Sequence, residues 1–328
     1  MELIGHKQTF KQLDVATSAA HKRNTALPHM LFAGAPGCGK TSMARYIAGK
    51  LEVPFLSIVP NDLGDYKGVM RALDQLNHDN YDDHGNRIGP VTPTIMFLDE
   101  VHNLPLKGQE LLGLAMERYI IESGRPNKFY WTPRFTLIGA TTISGKLSKP
   151  FRDRFKLQFT FQPYNLEEME AIVRLHSKRM GAKLLPSAVK SVAKRSRGTP
   201  RLAVGFTERI RDKMISCGSK WGTLMLVEGV FKDMGIDEEG FTITELKILK
   251  SLFDAGGQPV GLDNLAIITE EDKKTIRDTA EPFLIRKGLM LVGGKGRTLT
   301  PLGIEYVESS GNADKPVKKE IDFDYERT

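Results

Sequence analysis

Hydrophobic and polar residues follow one another along the first half of the chain in a pattern that predicts a parallel sheet covered by helices. Short apolar runs alternate with longer stretches in which apolar residues recur at helical spacing. The predicted strands are 29–34, 54–59, 94–100 and 135–142, and the predicted helices are 6–23, 41–51, 62–78 and 106–117. Apolar strands separated by helices are typical of a parallel sheet with helices on both faces. The polar stretch 79–90 predicts a surface loop.

The second half of the chain changes its pattern twice. After residue 164 it becomes wholly helical, and the first of these helices is capped by Asn165 and ends at Gly181. From Phe241 onward, three helical stretches precede two short strands on either side of the turn "GGKGR", and a last helix closes the segment. Three helices and a hairpin predict a winged helix-turn-helix, a motif that binds DNA.

These changes divide the chain into four predicted parts. They are an α/β domain with a parallel sheet at 1–164, a helical domain at 165–238, a winged-helix domain at 239–308 and a tail at 309–328. The tail is polar and charged, so we expect it to be disordered.

Composition narrows the class of protein. No apolar run approaches the roughly 18 residues that cross a membrane, and the start "MELIGHKQTF" has no apolar signal core. The only cysteines are Cys38 and Cys217, which favours a reducing compartment and hence the cytoplasm. The net charge of +7 favours a polyanionic partner such as nucleic acid, although a solubilising surface gives the same balance.

The stretch "GAPGCGKT" at 34–41 matches the phosphate-loop pattern GxxxxGK[ST]. Glycines allow successive backbone N–H groups to turn toward phosphates, and the helix that follows directs its N-terminus at the same charge. Lys40 would contact the β- and γ-phosphates, and Thr41 would bind Mg²⁺. A chance match is the alternative, but the position between a strand and a helix favours function. The predicted ATP-binding residues here are Gly37, Cys38, Gly39, Lys40, Thr41 and Ser42.

A second stretch, "IMFLDEVH" at 95–102, supplies acids for hydrolysis. A buried strand ends in Asp99, which would bind hydrated Mg²⁺, and Glu100, which would polarise the attacking water. Paired acids at a strand end can also be simple surface residues. Beside a phosphate loop they predict ATP hydrolysis with Mg²⁺.

Four further stretches carry a resemblance to a known family. "DEVH", "FTLIGATT", "LSKPFRDRF" and "RSRGTPRLA" occur in the order and approximate spacing of RuvB, the hexameric ATPase of Holliday-junction branch migration. The resemblance extends from residue 2 to about residue 306 and includes the winged-helix segment. It implies an AAA+ domain, a helical lid and a winged helix. It also implies a homohexameric ring on double-stranded or branched DNA, with a RuvA-type adaptor as partner.

The resemblance assigns roles at the end of the predicted sheet. Thr142 resembles the sensor that orients water against the γ-phosphate; without the other motifs, a threonine that simply ends a strand would be favoured. Arg154 in "FRDRF" resembles the arginine finger that reaches the ATP of a neighbouring subunit, with Arg152 in support. Taken alone, this sequence is typical of a solvated or salt-bridged turn.

Three more roles follow from the resemblance, each with a structural alternative. Arg201 in "GTPR" resembles the second sensor, which links the lid to the nucleotide, although Gly-Thr-Pro is also an ordinary helix start. Tyr164 resembles a nucleotide-contacting tyrosine, and packing at a hinge is its alternative. Ile4 would line the adenine pocket or belong to the core.

Lys295 and Arg297 in the predicted wing match positively charged positions of the family, whereas Val292 stands where relatives carry another arginine. Contact with DNA phosphates is the favoured role. A solvated turn is the alternative.

Two departures from the family pattern concern base recognition and the partner. Relatives have a further N-terminal segment that contacts the base, which puts base selectivity in doubt. The stretch 120–134 is shorter than the apolar hairpin that docks on RuvA in the family. We therefore predict weak or absent binding to a standard RuvA. Phe129, Tyr130 and Trp131 would then serve another adaptor, contact DNA, or pack on the neighbouring helix.

The sequence as a whole predicts an ATP-driven, ring-forming DNA translocase that moves branched recombination intermediates. A non-motor AAA+ switch, such as a clamp or helicase loader, is the alternative, since it needs the same ATP site. A winged helix after the lid favours the motor. A regulator that uses ATP only for assembly is disfavoured by Glu100.

Overall fold

The computed structural model describes residues 3–23, 25–76, 93–122, 129–132 and 134–310. The chain separates into two compact units, Met1–Leu224 and Met225–Thr328. The predicted loop at 79–90 and nearly all of the predicted tail lie outside the described residues. Within the described part of the chain, no helix combines the length and the apolar character that crossing a membrane requires.

The first unit contains a five-stranded parallel sheet and a short hairpin. Its strands are β1 (Met30–Gly34), β2 (Phe55–Ile58), β3 (Thr94–Leu98), β4 (Ile120–Glu122), β5 (Phe129–Trp131), β6 (Phe135–Thr141) and β7 (Leu157–Phe161). The parallel sheet has the order β2-β3-β6-β1-β7. The four predicted strands are confirmed as β1, β2, β3 and β6. The edge strand β7 was not predicted, although its alternation of apolar residues with exposed Gln158 and Thr160 is the pattern of a half-buried strand.

Helices cover both faces of this sheet. The helices of the first unit are α1 (Lys7–Arg23), α2 (Lys40–Leu51), α3 (Tyr66–Asp74), α4 (Leu106–Arg118), α5 (Lys149–Arg152), α6 (Leu166–Arg179), α7 (Pro186–Arg195) and α8 (Pro200–Ser216). The helix predicted over 62–78 begins later, because Asp65 caps it by accepting a hydrogen bond from the Gly68 N–H at 2.7 Å.

Successive residues of β3 point into two different cores. Met96 and Leu98 pack with apolar residues of α3 and α4 on one face, whereas Ile95 and Phe97 pack with residues of α1 and α2 on the other. This alternation is expected of a strand whose side chains leave the sheet on both sides. The predicted αβα architecture is confirmed.

The helices α6 to α8 follow the last strand of the sheet. Asn165 caps α6 by accepting from the Glu168 N–H at 2.9 Å, while the Glu168 carboxylate accepts from the Asn165 N–H at 3.1 Å. Pro200 occupies the first turn of α8, directly after Thr199. These local signals fix where the helical lid begins and where its third helix starts.

The stretch between α4 and β6 forms a short antiparallel hairpin. Strands β4 and β5 pair with Ile120 opposite Trp131, Ile121 opposite Tyr130 and Glu122 opposite Phe129. Residues 123–128, with Arg125 and Lys128, lie outside the described residues. The predicted hairpin is therefore present between α4 and β6.

The second unit begins with α9 (Leu224–Asp233), which starts at the unit boundary and belongs to the predicted helical domain. The predicted winged-helix elements follow as α10 (Ile243–Asp254), α11 (Leu262–Thr269), α12 (Lys273–Thr275), α13 (Glu281–Arg286), β8 (Met290–Gly293), β9 (Gly296–Leu299) and α14 (Pro301–Ser309). A π-helical turn at Ile276–Ala280 joins α12 to α13, just before Pro282. The helices and the β8–β9 hairpin enclose a core that includes Phe241, Leu249, Leu265 and Phe283.

Candidate active site

The phosphate loop lies between β1 and α2, where two glycines bring its backbone against the lid. Gly37 and Gly39 have φ values of 76° and 89°, a conformation that other residues rarely adopt. A Cβ at Gly39 would lie 2.8 Å from the Tyr164 hydroxyl, and one at Gly37 would lie 2.9 Å from a methyl carbon of Thr199. The absence of side chains thus lets the loop touch both the start of the lid and the start of α8.

Lys40 is buried at the first position of α2. Its Nζ donates hydrogen bonds to the carbonyl oxygens of Gly34 at 2.8 Å and Ala35 at 3.0 Å. Burial lowers the pKa of Lys40, an effect that the nearby carboxylates of Glu100 and Asp99 oppose. An ammonium with so little water around it gains strongly from an anionic ligand, which is the chemistry of a phosphate site.

A cavity of about 360 Å³ opens over the loop. Its walls come from the loop and α2, from the end of β3, and from α6 and α8. The predicted site residues that line it are Gly37, Gly39, Lys40, Thr41, Ser42, Asp99, Glu100 and Arg201. His176, Pro200 and Val204 complete the wall on the lid side and were not predicted. Cys38, also predicted to bind ATP, is 1% exposed, lies in the core and does not line this cavity.

Two oxygen ligands suited to Mg²⁺ lie close together in this cavity. The Thr41 hydroxyl is 3.5 Å from a carboxylate oxygen of Asp99, and both groups are hard oxygen donors. Over the described ranges, no cluster of three or more His, Cys, Asp or Glu residues is arranged to hold a metal. Magnesium in nucleotide sites is held by one or two protein oxygens together with substrate phosphates, so these residues fit it.

Glu100 is fixed by groups at the end of the neighbouring strand. Its Oε2 accepts hydrogen bonds from the backbone N–H of Thr142 at 3.3 Å and from the Thr142 hydroxyl at 3.1 Å. His102 Nδ1 lies 3.1 Å from the same oxygen and 3.0 Å from the Thr141 hydroxyl. The structure thus brings Thr142 into direct contact with Glu100. His102 also contacts Glu100, and no role had been predicted for it, although it is the last residue of the motif "DEVH".

A smaller cavity of about 110 Å³ adjoins the first and contains Ile4 and Tyr164. Gly39, Ser42 and His176 line both cavities. Burial raises the pKa of Tyr164 well above its ordinary value, so its hydroxyl stays protonated. The predicted adenine-pocket residues therefore lie beside the phosphate loop.

His6 supports this region and was not predicted. Its Nε2 lies 3.2 Å from the carbonyl oxygen of Cys38, and its ring packs edge-on against Tyr164 at 4.6 Å and Phe161 at 4.8 Å. A carbonyl oxygen only accepts, so Nε2 carries the proton. The imidazole therefore ties the loop to the end of β7 and to the lid.

Arg154 is not part of either cavity. Its guanidinium donates to the carbonyl oxygen of Pro150 at 2.6 Å and to the carboxylate of Glu117 at 3.2 Å. Arg152 ends α5, two residues earlier. An Arg154 that lies apart from the cavity of its own chain has the location that a role in a neighbouring subunit requires.

The two predicted DNA-binding residues differ in their surroundings. Lys295 is exposed in the turn between β8 and β9. Arg297 is 13% exposed and forms an ion pair with Glu281, which is 6% exposed, with 2.7 Å between Nε and the carboxylate. Arg297 is therefore held by Glu281, whereas Lys295 is exposed in the turn of the hairpin.

The phosphate loop, the two acids after β3, the threonine after β6 and the lid arginine define a P-loop ATPase of the AAA+ class. The AAA family model matches residues 30–163. The model of the RuvB AAA lid domain matches 164–227, and the model of the RuvB C-terminal winged helix domain matches 238–308. This chain belongs to the RuvB family.

Individual relatives agree with that assignment. The RuvB subunit of the Holliday junction branch migration complex of Lactobacillus helveticus is 35% identical over 306 residues, which cover 91% of this chain and 84% of the relative. Its counterpart in Helicobacter pylori is 36% identical, covering 92% and 87%. The Thermotoga maritima RuvB Holliday junction branch migration motor superposes with a TM-score of 0.76 at 30% identity, covering 93% and 95%.

Proposed function

We propose that this chain is an ATP-driven motor that moves Holliday junctions along DNA. The observation that carries the proposal is a nucleotide cavity lined by the phosphate loop, Asp99, Glu100 and Arg201, in a chain whose lid and winged helix both match RuvB models. Relatives over nearly the whole length are named as subunits of the Holliday junction branch migration complex.

ATP binds in the cavity over the phosphate loop. Lys40 neutralises the β- and γ-phosphates, while the loop backbone and the N-terminus of α2 donate N–H groups to phosphate oxygens. Ile4 and Tyr164 contact the adenine in the adjoining cavity. Thr41 and Asp99 would hold Mg²⁺, which would neutralise charge on the transferred phosphoryl group.

Hydrolysis depends on the hydrogen bonds around Glu100. Its carboxylate accepts the proton of the attacking water and thereby raises the nucleophilicity of the oxygen. The Thr142 hydroxyl donates a hydrogen bond to that carboxylate at 3.1 Å. It orients the carboxylate, or it bonds to the attacking water instead when the γ-phosphate is present. Arg201 lies on α8 of the lid and lines the same cavity. Its contact with the phosphates therefore links the position of the lid to whether ATP or ADP is bound.

The arginine finger is supplied by a second copy of the chain. Arg154 contacts Glu117 and Pro150 rather than its own nucleotide cavity, so completing the site requires a neighbour. Such head-to-tail contacts close into a ring, and the RuvB resemblance favours six subunits.

DNA passes along the winged helices, where the exposed Lys295 binds phosphates of the duplex or branched substrate and Arg297, paired with Glu281, supports the hairpin beside it. A RuvA-type protein is the partner that the family implies. The short hairpin β4–β5 supports weak binding to it. The scarcity of cysteine supports a cytoplasmic location.

The proposal is tested by ATPase rate with and without duplex DNA, together with separation of a synthetic four-way junction into duplexes. A motor is stimulated by DNA and resolves the junction only with ATP. A clamp or helicase loader would hydrolyse ATP but leave the junction intact, and that result would refute the motor.

A further inference from the structure

The Arg154 side chain is held at several points by its own subunit. Besides the bonds to Pro150 and Glu117, its side chain lies over Gly113 of α4, where a Cβ would come within 3.1 Å of Nε. Arg154 Nε is buried and has no hydrogen-bond partner among the described residues. The guanidinium is therefore packed against α4 along one edge.

This arrangement leaves a particular set of donors available. A guanidinium has five N–H groups, and here one on Nη1 is used by Pro150 and one on Nη2 by Glu117. One N–H remains on each terminal nitrogen. Donors on both terminal nitrogens of a planar group can bind phosphate oxygens. Arg154 also lines an open cavity of about 460 Å³, so its side chain is reachable from outside.

Glu117 makes the charged contact among those that hold the guanidinium. Glu117 lies in the last turn of α4, and the negative end of the helix dipole there also attracts the Arg154 guanidinium. The carboxylate is 56% exposed and the arginine 27% exposed, and ion pairs so close to solvent contribute little to folding. A stability role therefore explains the pair poorly, whereas even a weak preference changes the population of one orientation of a long, flexible side chain a few-fold.

We propose that Glu117 is a positioning residue for the arginine finger: it holds Arg154 oriented at the subunit edge before the neighbour's ATP arrives. This inference rests on the proposed role of Arg154 in a neighbouring site. Without Glu117 the side chain must lose its rotational freedom at the moment of reaction, and such misplacement slows catalysis without weakening nucleotide binding.

The test compares substitutions of Glu117 in the full chain, with ATP turnover and the affinity for a fluorescent ADP analogue measured on each. Glu117→Ala should lower kcat about fourfold and leave the ADP affinity within about twofold. Glu117→Gln keeps an oxygen acceptor and should recover most of the rate. Glu110→Ala is the matched control, because Glu110 is an exposed acid two turns earlier on the same helix.

Two combinations separate orientation from a general structural effect. Arg154→Ala with Glu117→Ala should be no slower than Arg154→Ala alone, because both changes remove one function. Lys40→Ala subunits retain Glu117 and Arg154, so mixing them into rings of Glu117→Ala should raise turnover at the Glu117→Ala sites.

Other outcomes refute distinct claims. A kcat of Glu117→Ala that is unchanged or raised, beside an inactive Arg154→Ala, refutes positioning by Glu117 while leaving the finger intact. Loss of ADP affinity in parallel with kcat refutes it as well. Full activity of Arg154→Ala refutes the proposed role of Arg154 and, with it, the inference about Glu117.

Discussion

Replacing Arg297 by alanine should destabilise the winged helix, whereas replacing Lys295 should not, although both residues belong to one hairpin. Arg297 and Glu281 are 13% and 6% exposed and pair at 2.7 Å. Removing one partner of a buried pair leaves an uncompensated charge and costs about 3–5 kcal/mol. Because Arg297 keeps some contact with water, we expect the lower value, about 3 kcal/mol. In a unit of this size that is a loss of roughly 12 °C or more in the melting temperature.

The assay is thermal unfolding of the full chain, with hydrogen exchange over 239–308 to assign the change to the winged helix. Lys295→Ala should shift the free energy of unfolding by less than about 0.5 kcal/mol. Combining Glu281→Leu with Arg297→Met should restore much of the loss, since both charges leave together. An Arg297→Ala variant as stable as the original chain would show that the pair with Glu281 does not stabilise the winged helix.

The same variants test DNA binding, provided that it is measured well below the unfolding temperature. Each lost phosphate contact should weaken binding to all sequences alike and reduce the slope of log affinity against log salt by about one. Lys295→Ala should show this change. If Arg297 also binds phosphate, the Glu281→Leu, Arg297→Met variant should show the same reduction in salt slope. An unaltered slope in both would direct the search for the DNA path to the basic lid.

Three further predictions concern hydrolysis, assembly and the partner. Lys40→Ala should weaken ATP binding, whereas Glu100→Gln should bind ATP and accumulate rings without hydrolysing it. Normal phosphate release by Glu100→Gln would show that Glu100 is not catalytic. Arg154→Ala should be inactive, yet regain ATPase activity when mixed with Lys40→Ala subunits, and proven mixed rings without activity would contradict action on a neighbour. In a pull-down, RuvA should bind weakly or not at all; tight binding that Trp131→Ala abolishes would show that the short hairpin keeps the family's role.

The sequence determined the fold class because its signals are local. Apolar strands, capped helices and glycines at "GAPGCGKT" each depend on a few neighbouring residues, and the structure has them at nearly the predicted places. The late start of α3 and the edge strand β7 departed from prediction for equally local reasons. Asp65 caps the helix, and the strand has the alternation of a half-buried strand rather than the continuous apolar runs of the buried strands.

The contacts that tune the site depend on residues far apart in the chain, and only the tertiary structure decided them. His6 bonds to the loop at Cys38 across 32 residues, and Thr142 bonds to Glu100 across 42. No periodicity predicts that Arg297 is committed to Glu281 while Lys295 is exposed. A motif fixes which residue types are present, because backbone geometry is local. Which of them touch depends on how strands and helices pack, and that is settled only when the chain has folded.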